Sequence, residues 1–267
     1  MTAGMRPTSF YEADGPAGFR ATAWTRGPWS RDHQHGGPPA ALLARAVEAA
    51  LSDRDCAIVR FTVEFLRPVP IARLRVETEV LKRGRLVERH AARLWSGDDL
   101  VLTAVALCLH RRQVTLPPTE AKSVPPPPPP PEGAEPYTFP FFPDPVGYQA
   151  AMDVRYVRGA WGQSDITCWM RQRCPLLPGE SPSSWQRVLV AADAGHGVAV
   201  PVPLDDYTFI NADLSVHLVR PLRGEWVGLE SRSMAEPSGI GLCRTRLWDA
   251  DGVAGRGAQS LVVAARA

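Results

Sequence analysis

Apolar and polar residues alternate with a period of two along most of this chain, which is typical of β-strands with one buried face. In the N-terminal half, strands are predicted near Ile58–Leu66, Leu74–Lys82, Leu86–Trp95 and Val101–His110, after a hairpin of Ser9–Asp14 and Phe19–Thr25. One helix is predicted before these strands, from about Pro38 to Leu51. Its two leading prolines suit a first turn, because the N–H groups there have no partner within a helix.

The C-terminal half shows the same order of elements. Strands are predicted near Asp153–Val157, Asp165–Arg173, Ile210–Val219, Trp226–Met234, Leu242–Trp248 and Gly257–Ala264. A helix capped by Ser183 or Ser184 is expected to run to about Ala194, with Gly195 as its stop. Helices lying against antiparallel sheet predict an α+β fold.

An internal repeat relates the two halves. Arg67-Pro68 returns as Arg220-Pro221, and Arg93-Leu94-Trp95 returns as Arg246-Leu247-Trp248. Both matches have the same spacing of 153 residues, so no gap separates them. Two copies are too few for a solenoid, and we interpret them as two fused copies of one unit.

A proline-rich stretch lies between the two copies and contains seven consecutive prolines, Pro125 to Pro131. Such a run favours a stiff polyproline II spacer and cannot enter a helix or a central strand. We therefore predict an N-terminal unit of residues 1–115, a linker of residues 116–145 and a C-terminal unit of residues 146–267.

Composition restricts the classes of partner. The 267 residues are 45% hydrophobic and 22% charged, as in ordinary globular proteins, and the net charge of +2 does not indicate a nucleic-acid partner. No apolar run approaches the roughly 18–20 residues of a membrane span. Five cysteines without C-x-x-C spacing and the lack of a signal-peptide pattern predict a reduced, cytoplasmic protein. No metal is predicted, because His33 and His35 are not followed by a third ligand at zinc spacing.

Common catalytic motifs such as G-x-S-x-G, a Walker A loop and H-E-x-x-H do not occur. Two segments nevertheless break the apolar pattern. His35-Gly36-Gly37 precedes the first helix, where free N–H groups attract negative charge, although a tight turn into a packed helix explains it equally well. Asp193 lies among alanines near the end of the second helix, where the helix dipole disfavours an anion. A surface Asp beside a C-cap is the alternative.

A third irregularity is Gln259, an amide on an otherwise apolar final strand whose repeat partner is Ala106. Together, the repeat, the H-G-G-P-P helix start, the Asp193 helix, the R-P turns and the Gln259 strand resemble the acyl-CoA thioesterase II family. The resemblance implies two fused hotdog units, each with a long helix wrapped by an antiparallel sheet. In that family an Asp, a Thr or Ser, and a Gln hold the hydrolytic water, and these positions fall on Asp193, Asn211 and Gln259. Asn211 departs from the usual hydroxyl residue.

The resemblance further implies hydrolysis of an acyl-CoA or acyl-carrier thioester without a cofactor or a covalent nucleophile. Asp193 would activate water, and the N–H groups at Gly36 and Gly37, next to His35, would stabilise the oxyanion. A non-catalytic acyl-thioester or lipid-binding protein on the same fold is the alternative. A hotdog hydratase is disfavoured because its paired Asp and His near a G-D-x-N-P-type loop do not occur. A homodimer is expected, since twofold dimers are the commonest assembly.

Overall fold

The computed structural model describes residues 8–51, 53, 55–115, 126–142 and 144–266. Within them the chain forms three α-helices, α1 (Gly37–Ala50), α2 (Ser184–Ala192) and α3 (Gly195–Val198). The strands of the N-terminal half are β1 (Tyr11–Ala13), β2 (Gly18–Ala21), β3 (Cys56–Phe65), β4 (Arg73–Lys82), β5 (Val87–Ser96) and β6 (Asp99–His110). Those of the C-terminal half are β7 (Met152–Arg158), β8 (Asp165–Gln172), β9 (Tyr207–Asn211), β10 (Asp213–Leu218), β11 (Val227–Ala235), β12 (Ile240–Asp249) and β13 (Gly252–Ala265).

The strands form one antiparallel sheet in the order β1-β2-β4-β5-β6-β3-β10-β13-β12-β11-β8-β7, with β9 pairing to β13. The order is symmetrical about the contact between β3 and β10. Read inward from one edge it is β1-β2-β4-β5-β6-β3, and from the other β7-β8-β11-β12-β13-β10. These elements confirm the α+β layout of antiparallel sheet and few helices predicted from the alternating pattern.

The register at the centre of the sheet agrees with the sequence repeat. Thr62 pairs with Ser215, and their hydroxyl oxygens lie 2.8 Å apart, across a sequence separation of 153 residues. Pairing of equivalent positions in this way is what a twofold relation between the two halves would require at the contact between β3 and β10.

The two long helices lie side by side on the sheet. Helix α1 packs on β3 to β6, α2 packs on β8 and β11, and the helices contact each other. The two helices approach closely at Gly37, where an added Cβ would lie 2.6 Å from the carbonyl oxygen of Val190. Only glycine allows the start of α1 to approach the backbone of α2 this closely.

Two local predictions were wrong. The single strand expected over Ile210–Val219 is interrupted at Ala212, because β9 pairs with the end of β13 whereas β10 pairs with both β13 and β3. Gly195 does not end the second helical region. After a turn at Asp193 and Ala194, it begins the short helix α3.

The proline-rich segment contacts the C-terminal half. Residues 116–125 and 143 of the predicted linker lie outside the described residues. In the described part, the carbonyl oxygen of Pro129 accepts a hydrogen bond from Trp169 Nε1 (2.7 Å), and that of Ala134 accepts one from Arg155 (2.6 Å). This part of the segment is therefore packed along β7 and β8 rather than projecting as a free arm.

All five cysteines are buried, and none forms a disulfide bond. Burial raises the pKa of the Cys168 thiol, which disfavours the reactive thiolate form. In the portion of the chain that the structure describes, no helix combines the length and the apolar character required to cross a membrane.

The helix contact predicts the effect of Gly37→Ala. The added methyl group meets the Val190 carbonyl, so the variant should lose about 1–3 kcal/mol of unfolding free energy, measured by urea denaturation. Gly133→Ala is the matched control because no atom lies within 4 Å of its added Cβ, and its stability should change by less than about 0.5 kcal/mol. Equal stability of Gly37→Ala and wild type would contradict the close helix contact.

Candidate active site

A cavity of about 340 Å³ opens where the start of α1 meets the turn between α2 and α3. Its walls are mainly apolar and include the aromatic side chains of Trp29, Phe65, Phe139, Phe141, Phe142 and Phe209. The polar side chains on the wall include those of His35, Asp193, His196 and Asn211. An apolar cavity with a few convergent polar groups is the usual form of a small-molecule site.

Asp193 is the acidic residue of this group. It follows the last residue of α2, and only 2% of the residue is exposed. Its Oδ2 lies 2.9 Å from His35 Nδ1, and its Oδ1 accepts a hydrogen bond of 2.9 Å from Asn211 Nδ2. The cavity therefore brings together three residues that the sequence places on three separate elements.

The charge of Asp193 is stabilised by its neighbours. Burial by itself would raise the pKa of the carboxyl, but the imidazole of His35 and the hydrogen bonds from His35 and Asn211 lower it below its usual value. The ionised carboxylate can only accept hydrogen bonds, so His35 Nδ1 must carry a hydrogen. The Gly37 N–H, 3.2 Å from the same nitrogen, could donate to it only when Nδ1 carries no hydrogen.

His35 is held in place from both halves of the chain. Its ring stacks on Tyr148, with the ring centroids 3.7 Å apart and the planes 6° from parallel. The Tyr148 hydroxyl donates a 2.7 Å hydrogen bond to the carbonyl oxygen of Val190 on α2. The backbone N–H of His35 donates to the carbonyl oxygen of Thr25. This support fixes the imidazole against Asp193.

Asn211 is the last residue of β9, and the next strand, β10, pairs with β3 as well as β13. Its Nδ2 donates to Asp193 and also, at 3.2 Å, to the carbonyl oxygen of Asp213. The side-chain amide thereby orients one carboxylate oxygen of Asp193. A threonine or serine hydroxyl could make one such donation, whereas the amide makes two.

Gln259 contacts the turn between α2 and α3 and is not among the described residues that line the cavity. It is 2% exposed. Its Nε2 donates to the backbone carbonyl oxygen of Asp193 (3.1 Å) and lies 3.1 Å from His196 Nδ1. Its Oε1 accepts a hydrogen bond from the backbone N–H of His196 (3.2 Å). Gln259 therefore fixes the turn that carries Asp193.

His196 contributes a neutral imidazole to the cavity wall. Burial lowers its pKa to about 4, although the nearby Asp193 charge opposes this shift. Because Nδ1 accepts from the Gln259 amide, the hydrogen of the neutral ring is on Nε2.

The two glycines before α1 have different surroundings. Gly36 lies on the cavity wall, where an added Cβ would be 2.5 Å from the Phe65 ring and 2.9 Å from Asp193 Oδ2. Gly37 instead packs against the backbone of α2. The structure thus brings Gly36, but not Gly37, to the wall beside Asp193.

Sequence reasoning missed His196 and Tyr148. His196 follows Asp193 by three residues, which is a weak signal because the turn that joins them was not foreseen. Tyr148 follows the proline-rich segment and is distant in sequence from His35, so only the tertiary structure reveals the stacking.

Both halves of the chain match models of known protein domains. The family model for the acyl-CoA thioesterase N-terminal domain matches residues 25–109, and the model for the C-terminal domain matches residues 118–263. The chain belongs to the acyl-CoA thioesterase family. Membership supports a thioesterase activity in general terms. No curated protein sequence matches the chain significantly.

Solved structures share the fold at low sequence identity. A conserved protein with a hotdog fold from Alicyclobacillus acidocaldarius superposes with a TM-score of 0.75 at 18% identity, covering 96% of this chain and 96% of that one. A candidate thioesterase II from Thermobifida fusca gives 0.71 at 20% identity, covering 98% and 100%. An acyl-CoA thioesterase II from Mycobacterium marinum gives 0.65 at 14% identity, covering 94% and 93%. The chain therefore has a hotdog-type fold.

Proposed function

We propose that this protein hydrolyses an acyl-CoA thioester by means of a water molecule activated by Asp193. The observation that carries the proposal is the buried Asp193 carboxyl group, which borders an apolar cavity and lies 2.9 Å from both His35 Nδ1 and Asn211 Nδ2. A buried charge is costly unless it is paired, and functional sites are where such groups concentrate. Membership of the thioesterase family supports the assignment.

In the proposed reaction, the oxygen of water attacks the carbonyl carbon of the thioester while Asp193 accepts a proton from that water. The tetrahedral intermediate carries its negative charge on the former carbonyl oxygen. Collapse of the intermediate breaks the carbon–sulfur bond, and the thiolate takes up a proton as it leaves. The products are a carboxylic acid and a thiol.

The Gly36 N–H is the proposed donor to the oxyanion. Gly36 is the N-cap residue of α1, where backbone N–H groups have no partner within the helix, and its backbone borders the cavity beside Asp193. The stacked, Nδ1-protonated His35 holds the carboxylate from one side and Asn211 holds it from the other. Gln259 acts as a positioning residue.

The apolar part of the acyl group is assigned to the aromatic wall of the cavity. Phe139, Phe141 and Phe142 come from the segment between the two halves, and Phe141 stacks on Trp161 with centroids 5.3 Å apart. Burial of a hydrocarbon or aromatic acyl group against these rings would contribute roughly 25 cal/mol per Å² of apolar surface. The polar residues lie where the thioester carbonyl would then be held.

The architecture proposed for the chain is a double hotdog, with units of residues 1–115 and 146–267 joined by residues 116–145. The symmetrical strand order and the pairing of Thr62 with its repeat partner Ser215 support this division. The homodimer expected from the sequence stays a prediction.

A non-catalytic acyl-thioester-binding protein is the second candidate. The observation that favours it is Asn211, which replaces the hydroxyl typical of the family and directs its amide to Asp193 and to the Asp213 carbonyl. In this alternative the cavity binds the acyl chain but no thiol is released.

Asp193→Asn tests the proposal. The amide keeps the size of the side chain but cannot accept a proton, so kcat for acyl-CoA hydrolysis should fall by roughly 10²–10⁴-fold. Thiol release measured with acyl-CoA substrates of increasing chain length would give this ratio, and circular dichroism would confirm that the variant is folded.

Asp205→Asn is the control for that substitution, since it makes the same chemical change at an exposed residue and should leave kcat unchanged. An active wild type whose kcat is retained in Asp193→Asn would place the chemistry elsewhere, with His35 the next residue to test. A wild type that binds acyl-CoA and releases no thiol would favour the binding protein.

The lowered pKa of Asp193 predicts the pH dependence of kcat/KM. The ionised form is the active form, and its pKa lies below the usual aspartate value, so kcat/KM should stay constant as the pH falls to about 5 and decrease only below about 4. Rates would be measured with circular dichroism at each pH to exclude unfolding. An acidic decrease between about pH 6 and 7, the usual range of imidazole, would instead identify a histidine as the base.

A further inference from the structure

A thiol, a carboxylate and an imidazole meet on one face of the sheet, away from the cavity that holds Asp193. Cys56 begins β3, Glu88 lies near the start of β5, and His110 ends β6. Strands β3 and β5 both pair with β6, with Cys56 opposite His110 and Glu88 opposite Cys108. One potential ligand atom from each of Cys56, Glu88 and His110 lies within 4.8 Å of the other two.

The spacing of two of these atoms resembles that of ligands around one ion. Glu88 Oε1 and His110 Nε2 are 3.3 Å apart. Yet His110 Nε2 is buried and has no hydrogen-bond partner among the described residues. Two ligands at about 2.0–2.1 Å from a tetrahedral zinc ion are themselves separated by about 3.3 Å. Glu88 Oε1 and His110 Nε2 therefore have the separation expected of two ligands of one metal ion, although they are not hydrogen-bonded to each other.

Neighbouring polar groups contact Glu88 and His110 in the way that residues around a metal site orient the metal ligands. The second carboxylate oxygen, Glu88 Oε2, is 2.9 Å from Nε2 of the buried His90. Nδ1 of His110 is 3.5 Å from Asp53 Oδ2, so a carboxylate faces the nitrogen that would not bind the ion. Arg83 Nε approaches Glu88 Oε1 only to 3.8 Å, and its side chain is exposed.

Charge and burial favour a cation at this position. Glu88 is 0% exposed and Cys56 is 3% exposed. A buried carboxylate requires compensation, and one thiolate with one carboxylate would balance a divalent ion. Binding would release the thiol proton, as the Cys56 S–H bond is replaced by a sulfur–metal bond.

We propose that Cys56, Glu88 and His110 form a binding site for a divalent transition metal of the zinc class. Sulfur and nitrogen ligands select such ions over Mg²⁺ and Ca²⁺, which prefer oxygen ligands alone. Three protein ligands leave a fourth position open for water. A second cavity, of about 630 Å³, is lined by Cys56 and Asp53 and provides a path of entry.

This site is separate from the proposed hydrolytic centre. Cys56 and Phe65 are the first and last residues of β3, and ten strand residues at about 3.3 Å each place the two ends about 30 Å apart. The role of the metal would therefore be structural or concern a second chemistry, and hydrolysis at Asp193 should not require it.

The test uses the untagged full-length protein, ZnCl₂ and CoCl₂. We expect the wild type to retain one equivalent of zinc after dialysis, as measured by elemental analysis. With cobalt it should show a thiolate-to-metal charge-transfer band, which reports cysteine coordination directly. Both signals should be lost in Cys56→Ser, and zinc affinity should fall at least about 100-fold in His110→Gln.

Cys168→Ser is the matched control, because Cys168 is an equally buried thiol in the other half of the chain, and it should bind metal as the wild type does. Circular dichroism and thioesterase activity would show that the variants are folded. Absence of a retained equivalent in the wild type, or metal binding that persists in both Cys56→Ser and His110→Gln, would overturn the proposal.

Discussion

The antiparallel pairing of β3 with β10 is the constraint on which the rest of the structure depends. Because Thr62 meets Ser215 at the centre of that pair, each half of the sheet is placed by symmetry opposite the other. The helices lying on the two halves must then contact each other, and the start of α1 meets the end of α2. This meeting brings His35 and Gly36 to Asp193. Neither half contains the site alone.

A second cavity occupies the corresponding position in the other half and lacks the residues proposed for hydrolysis. Phe65 to Pro68 line the cavity that holds Asp193, and their repeat counterparts, Leu218 to Pro221, line the other. The counterpart of Asn211 at this spacing is Ile58, and that of Gln259 is Ala106. An apolar residue and an alanine can neither orient a carboxylate nor fix a turn. The chain therefore carries the polar set once, although the order of strands is the same in both halves.

Sequence patterns that act locally predicted most of the fold and part of the site. Alternation located the strands, and Asp193 was conspicuous because a carboxylate among alanines at a helix end opposes the helix dipole. Features set by tertiary register were not predictable. These include the interruption at Ala212, the stacking of Tyr148 on His35, and the position of Gln259 behind Asp193 rather than at the cavity wall. The Cys56 cluster was missed for the same reason, since its members are distant in sequence and no ligand spacing marks them.

Water, rather than a protein carboxylate, is proposed to attack the thioester. The direct measurement is a single turnover in H₂¹⁸O with enzyme in excess over acyl-CoA, followed by mass spectrometry of the acid product. If Asp193 acts as a base, the acid formed in that first turnover carries one ¹⁸O atom. If Asp193 attacks as a nucleophile and water then cleaves the intermediate at the Asp193 carbonyl, the first product carries none and the label enters the protein. An unlabelled first product would contradict the account.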